Sequence, residues 1–395
     1  AGLRLAALAV AADGDGLLAT FSGDERSVAD YLVEEIISQL PDDIRQLLRV
    51  TSISDPMPSG LAAHLSGRED AGSVLDRLEH QTSLVSATGP RRDAYRIQEL
   101  LRTYLLADLQ RQGPTRAADL HARAARWWAG QDRPIHALDH ASRSGDRQLL
   151  SGLLHRFAVP LILNGDHAPL RRALCSMRAQ TTAPDPWLAL TSALTHAEAG
   201  DMLAAEADLR QARSYWPSQN TADLTVLRAA AEQLTTVSFG AEVSPTAVMD
   251  TSAAMDIDEL AIEPELEALA RLSRGSALLR EHNDREGARA DLEIAMMLAR
   301  RNGFDYLSMQ CLVLLGVIAG ISGDLRTMHA LSTEADAAIS NHHWERTMAA
   351  ATVSAMLAYT ALLRSETHDA LDLSAQALAL GPGALPPDSG HGVVD

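Results

Sequence analysis

The 395-residue chain is long enough for two or three domains, because a single hydrophobic core rarely grows past roughly 250 residues. Its net charge of −18 opposes binding to bulk nucleic acid, which needs a cationic surface. Hydrophobic residues make up 46% of it, mostly Ala and Leu, and aromatics only 4%, a balance that suits close-packed helices better than strands.

All 34 basic residues are arginine. The two cysteines, Cys175 and Cys311, lack C-x-x-C spacing and read as buried free thiols. No apolar run reaches the roughly 18 to 20 residues that span a bilayer, and the opening AGLRLAALAV has no signal-peptide pattern. A soluble, cytoplasmic protein without membrane contact is expected. The first methionine is Met57 and Ala1 falls within a helical pattern, so the chain reads as a piece of a longer protein.

After AGLRLAALAV and the flexible ADGDG, helical patterns run from Val28 to Leu40, Pro41 to Ser52, Pro58 to Leu65 and Ala71 to Gln81. Pro41 and Pro58 suit the first helical turn, where a missing N–H costs nothing. SLVSAT, the turn GPRRD and AYRIQ follow as a hairpin of two short strands, and Glu99 to Gln112 reads as the next helix. Helices closed by such a hairpin make a winged helix. Residues 91–147 hold eleven Arg against seven Asp plus Glu, which on amphipathic helices points to internal salt bridges more than to DNA.

From about Leu120 the pattern changes to helical hairpins with a recurring turn: SRSGD at 142–146, LNGD at 163–166, EAGD at 198–201, EHND at 281–284 and ISGD at 321–324. Gly or Asn supplies the left-handed residue that ends one helix, and Asp caps the next. Asn283 and Gly323 are 40 residues apart, and another corner falls near Arg364 to His368. The expected fold class is all-α: a winged-helix module with a small β-hairpin, then a tetratricopeptide-like α-solenoid. The domain plan is a preceding helical region over 1–23, the winged helix over 24–113, the solenoid over 114–380 and a linker over 381–395. Residues 241–265, with seven Asp plus Glu and no basic residue, read as a solvated loop or irregular helix between repeats.

The stretches AGLRLAALAV, FSGDERSVADYLVEEIISQLPDDIRQLLRVTSI, LEHQTSLVSA, AYRIQELLRTYLLADL and LHARAARWWAG together resemble the MalT-like branch of large LuxR-type regulators. The resemblance covers roughly the first 145 residues in order. It implies an N-terminal signal-transduction ATPase, a winged helix, a superhelical sensor and a C-terminal DNA-binding helix-turn-helix. A phosphate loop of the G-x-x-x-x-G-K-[ST] type needs a lysine and the chain has none, so ATP or ADP is expected only in the ATPase domain. DNA is likewise expected only through the separate DNA-binding domain. Where the family carries a histidine near YR(F/Y)H that contacts bound ADP, this chain has Gln98, which donates hydrogen bonds but carries no imidazolium charge.

No enzyme motif is present: no G-x-S-x-G, no H-E-x-x-H and no glycine-rich phosphate loop. His136 and His140 share a helix face but lack a third ligand, and read as solvated or capping; neither a metal nor a cofactor is expected. Trp127, Trp128, Trp187, Trp216 and Tyr359 read as packing residues.

NGFDY at 302–306 and NHHWER at 341–346 lie one repeat apart, which places them at equivalent corners and next to one another. Asn302, Asp305, Tyr306, Asn341, His342, His343, Trp344 and Arg346 combine aromatic faces with polar groups, the mixture that holds a sugar, against the plain alternative of repeat packing. The expected function is effector sensing and signal relay in a MalT-like transcriptional regulator. Its partners would be a small-molecule inducer, with a sugar as the candidate class, and the regulator's own ATPase and DNA-binding domains. The competing expectation is a scaffold whose groove binds a peptide or partner protein.

Overall fold

A computed structural model describes residues 37–82, 84–179, 185–217, 221–239, 255–257, 263–281 and 283–380. The segments 1–23 and 381–395, nearly all of the predicted helix over 28–40 and most of 241–265 lie outside the described residues. The chain divides into two compact units, residues 1–150 and 151–395.

The first unit contains the winged helix. Helix α1 spans Asp42–Thr51, strand β1 Met57–Pro58, α2 Ser59–Ser66, α3 Ala71–Thr82, β2 Val85–Thr88, β3 Ala94–Ile97 and α4 Glu99–Gln112. The strands form an antiparallel sheet in the order β1-β3-β2, with Met57 opposite Tyr95 and Val85 opposite Ile97. Alternation along β3 buries Tyr95 and Ile97 and sends Arg96 outward to Asp55, 2.9 Å away. Strand β1 is a third strand that the sequence does not announce, since two residues are too few to show a period of two. Pro41 and Pro58 stand one position before the first helical turn, in extended backbone, rather than inside it.

Leu101, Leu105 and Leu109 repeat every four residues, so α4 buries one continuous stripe; Leu47, Leu48, Leu61, Val74 and Leu75 fill the rest of this core. Glu79 of α3 accepts bonds from the Ala87 N–H at 2.8 Å and from Arg92 at 2.6 Å, which fixes the hairpin to the helix.

The hairpin of α5 (Pro114–Gly130) and α6 (Pro134–Ser144) completes this unit. Arg123 donates to the carbonyls of His64 and Leu65, filling acceptors that the end of α2 leaves open. Many arginines of residues 91–147 serve such internal bonds: Arg92 with Glu79, Arg96 with Asp55, Arg102 with the Ser52 carbonyl and Arg126 with Asp146.

His140 is buried rather than solvated, and its Nδ1 lies 2.8 Å from Nδ1 of His121, while His136 stacks on Trp128 at 4.5 Å. Burial pushes His121 down to about 4, with Arg143 adding to the effect. It pushes His140 down to about 3, with His121 adding.

The second unit is a solenoid of antiparallel helix pairs of the tetratricopeptide kind. Its helices are α7 (Arg147–Leu163, beginning at the unit boundary), α8 (His167–Ala179), α9 (Pro186–Glu198), α10 (Met202–Ser214), α11 (Ala222–Phe239) and α12 (Pro264–Glu281). They continue as α13 (Arg285–Asn302), α14 (Asp305–Ile321), α15 (Leu325–His342), α16 (Met348–Leu363) and α17 (Thr367–Leu380). Pairs α12–α13, α14–α15 and α16–α17 pack within themselves and each against the next, and α9–α10 packs within itself and against α11, which meets α12.

The corners follow the turn chemistry. Gly145, Gly165, Gly200, Asn283 and Gly323 all have positive φ. Asp146, Asp201, Asp284 and Asp324 each accept the N–H three residues on, at 3.0 to 3.1 Å. Cys311 is buried as expected, but Cys175 is exposed because it lies on the outward face of α8.

Between α12 and α13 the buried carboxylate of Asp291 is held by Arg274 through two bonds of 2.6 Å and by Arg271 at 3.2 Å. Removing it leaves two guanidiniums without their shared counter-charge. Asp291→Ala should therefore lower the unfolding free energy by about 3 kcal/mol, measured by urea denaturation.

The His121–His140 pair gives a second expectation. Its depressed values mean that the unfolded chain, with histidine near 6.5, binds more protons below that pH. The pair's contribution is thus fully present above pH 6.5 and is lost as pH falls toward 4 and 3, by up to about 1.4 kcal/mol per pH unit per ring. Denaturation at pH 7, 6 and 5 should show this loss, and His140→Gln should shrink it.

Candidate functional site

The two predicted corners are equivalent in the structure. Gly303 (φ 74°) and His343 (φ 60°) end α13 and α15 in the left-handed conformation, and the next residues, Phe304 and Trp344, donate back to Ala299 and Ile339 at 2.9 and 3.0 Å. The eight predicted residues then separate by polarity. Tyr306 and Trp344 turn inward, 1% and 8% exposed, and meet edge to face at 4.9 Å within the core of α14, α15 and α16. Asn302, Asp305, Asn341, His342, His343 and Arg346 remain on the surface. His342 stacks on Trp344 at 4.5 Å and comes within 3.8 Å of Asp305, and Asn302 donates to the Leu298 carbonyl.

The inward side meets residues distant in sequence. The Tyr306 hydroxyl donates to Glu198 at 2.5 Å, and Gln310 donates to the other oxygen of the same carboxylate at 2.8 Å. Burial, with Glu198 beside it, pushes the Tyr306 phenol well above its ordinary value. His167 meets the Tyr306 ring edge to face at 5.0 Å; both its ring nitrogens are sealed from solvent without a hydrogen-bond partner, and burial pushes its pKa down. Gly165 backs onto the Trp344 indole so closely that a Cβ would lie 2.7 Å from Nε1. Of the eight, Tyr306 and Trp344 therefore form a packed joint with the α7–α8 turn, α9 and α14–α16, the other six stay at the surface, and Trp344 offers no open face to a sugar.

An open cleft lies elsewhere in the same unit. It has a volume of about 490 Å³ and is lined by α7 (His155, Arg156, Val159, Pro160) and by the first turns of α9 (Trp187), α11 (Asp223) and α12 (Glu265, Leu266), with Glu263 just before the last. Trp187, at the edge of the cleft, is itself buried, and its neighbours hold it in place. Asp185 caps α9 by accepting from the N–H groups of Trp187 and Leu188, and takes a third bond from His155 at 3.0 Å. Burial would raise the Asp185 carboxyl, but the His155 bond and charge and the two N–H groups together hold it below the usual range. His155 in turn lies 4.3 Å from the Trp187 ring.

The sequence reading missed this cleft. The recoverable signals were the D-P-W cap of α9 and the paired glutamates of the acidic segment, but only the tertiary structure brings them to one place. Met255 and Ile257, from that same segment, are buried rather than solvated.

Gln98 stands before the first turn of α4, half-buried, its N–H bonded to the Leu84 carbonyl at 3.0 Å and its side chain making no cap. Trp128 and Trp187 are buried and Trp216 lies under Arg228 at 5.0 Å, but Tyr359 is 51% exposed, since nothing described covers that face of α16. Among the described residues, the group that could hold a metal is Asp76, Glu79 and His80, of which Glu79 is already bonded to Ala87 and Arg92.

Because Trp344 is a core residue, its loss should be felt as stability. Trp344→Ala should cost about 3 to 5 kcal/mol in urea denaturation, and Gly165→Ala should destabilise in the same direction by forcing the indole away.

A family profile described as the MalT winged helix domain matches residues 33–117. The chain is 32% identical over 148 residues to the serine/threonine-protein kinase PknK of Mycobacterium tuberculosis, covering 37% of this chain and 13% of that protein. It is 28% identical over 164 residues to the HTH-type transcriptional regulator MalT of Vibrio parahaemolyticus, covering 42% of this chain and 18% of that protein. The chain thus spans less than a fifth of the length of these relatives. Among solved structures, a signal transduction ATPase with numerous domains and a tetratricopeptide repeat sensor, from Pyrococcus horikoshii, aligns with a TM-score of 0.49 at 13% identity. That alignment covers 95% of this chain and 68% of the other. Residues 33–117 thus match the MalT winged helix domain.

Proposed function

We propose that the chain is the effector-sensing and relay segment of a MalT-like transcriptional regulator, with a small-molecule inducer, a sugar by family resemblance, bound in the helical array. The observation that carries this reading is the combination in one chain of a match to the MalT winged helix domain and a helical solenoid with an open cleft lined by polar and charged residues. Binding would favour one packing of the array over another, and the difference would pass to the winged helix. In a complete regulator the ATPase domain would hold ATP or ADP and a separate domain would reach DNA; both would be partners of this segment. Among the described residues no helix is long and apolar enough to cross a membrane.

A second reading has its own observation. Tyr359, Leu362 and Leu363 of α16 and Leu371 and Leu378 of α17 are each more than half exposed, apolar surface that suits a peptide or partner protein.

Thermal unfolding against mono-, di- and trisaccharides and other metabolites at millimolar concentration tests the first reading. A ligand present at 100 times its dissociation constant adds about 2.7 kcal/mol to the native state, a clear rise in melting temperature. A selective, saturable rise is expected. No rise with any compound would move the function to a protein partner, detectable as salt-sensitive binding.

A further inference from the structure

The joint around Trp344 links segments that no helix-to-helix packing connects. Packing runs from neighbour to neighbour, α8 to α9, α9 to α11, then through α12 and α13 to α14, and none of the helices that lie close along their lengths joins α7–α9 to α14–α16. What crosses is side chains. The Trp344 indole meets Gly165, the Tyr306 ring meets His167, and the Tyr306 hydroxyl and Gln310 amide donate to the Glu198 carboxylate. Each helix pair is held by its neighbours without this joint, so the joint can open while the solenoid stays folded.

Closure also leaves one group unsatisfied. His167 is half-buried as a residue, but both its ring nitrogens are sealed and neither has a hydrogen-bond partner among the described residues. Closing the joint costs the ring its hydration, and opening it returns that hydration. The charges facing the ring come from three elements. Glu198 on α9 and Asp166 beside the ring favour an imidazolium, Arg171 on α8 opposes one, and Tyr306 of α14 presents its aromatic ring. Against Tyr306 stands Trp344, on which His342 stacks at 4.5 Å, with Asp305 3.8 Å from that imidazole. Both oxygens of Glu198 are already met by Tyr306 and Gln310. Lost hydration outweighs the two carboxylates and holds His167 neutral.

We propose that this joint is a proton-released clasp: closed, it fastens the α7–α8 turn and α9 to α14–α16, and a proton taken up by His167 opens it. The sign follows from solvation. The ring binds protons more weakly in the closed solenoid than in the open one, where its ordinary pKa is about 6.5. Closure is therefore fully favoured above that pH and weakens as pH falls below it, by up to about tenfold per pH unit. The clasp does not depend on the sensor reading.

Spin labels on Cys175 of α8 and on Asn341→Cys of α15, both exposed positions, report the separation across the joint by double electron–electron resonance. Labelling is done with the joint closed, when Cys311 is buried. One separation at about pH 7.5, and a second, longer one that grows toward about pH 4.5, are expected. His167→Phe keeps an aromatic ring and removes both nitrogens, so it should abolish the longer separation over that range. Gly165→Val drives a side chain into the indole and should populate the longer separation already at about pH 7.5. His167→Gln, neutral at every pH, gives the same test as His167→Phe if that variant fails to fold.

The proposal is overturned if the separation is the same at both pH values. It is also overturned if the change persists in the His167 variants, since it would then belong to Asp166, Glu198 or His342. Loss of helical circular dichroism together with the longer separation would show global unfolding and overturn it as well.

Discussion

The second unit depends on a contact between segments almost two hundred residues apart: the Trp344 indole against the backbone of Gly165. A solenoid whose repeats touch only their neighbours has no reason to bring its early turns to its late helices. Here the absent side chain at Gly165 leaves the room that the indole fills. Glu198 then joins α9 to α14 by accepting from Tyr306 and Gln310 on its two oxygens. The aromatic contacts supply most of the burial and the carboxylate supplies direction, since both of its oxygens must be met at once. His167 completes the joint at a cost, because its ring nitrogens are buried without partners.

Charge in the interior of the second unit is met by arginine. Buried carboxylates are surrounded by arginine: Asp291 by Arg271 and Arg274, Glu232 by Arg213 and Arg228. Arg274 meets both oxygens of Asp291, which lysine, with one point charge, would not do in this way.

The winged helix and the joint illustrate how far a short motif can be read. AYRIQELLRTYLLADL encodes a strand with two inward residues followed by a helix with a leucine every fourth position, and both appear as written. Position 98 falls at the junction, where the backbone is already committed to closing the sheet onto Leu84. NGFDY and NHHWER are also legible as equivalent corners, down to matching left-handed residues. What they do was not legible: the aromatics that suggested a binding face are the ones the core takes.

Local sequence determined the helices, their caps, the corner residues and the winged hairpin, because these depend on interactions within a few residues: an Asp accepting the N–H three positions on, or a Gly or Asn allowing positive φ. It could not determine which side of a corner would be covered. Tyr306 and Trp344 are buried because Gly165, His167 and Glu198 arrive from far earlier in the chain, and residues of α7, α9, α11 and α12 line one cleft although they are far apart in sequence. Burial and charge pairing are properties of such long-range neighbours, so the candidate site was decided by the tertiary structure alone.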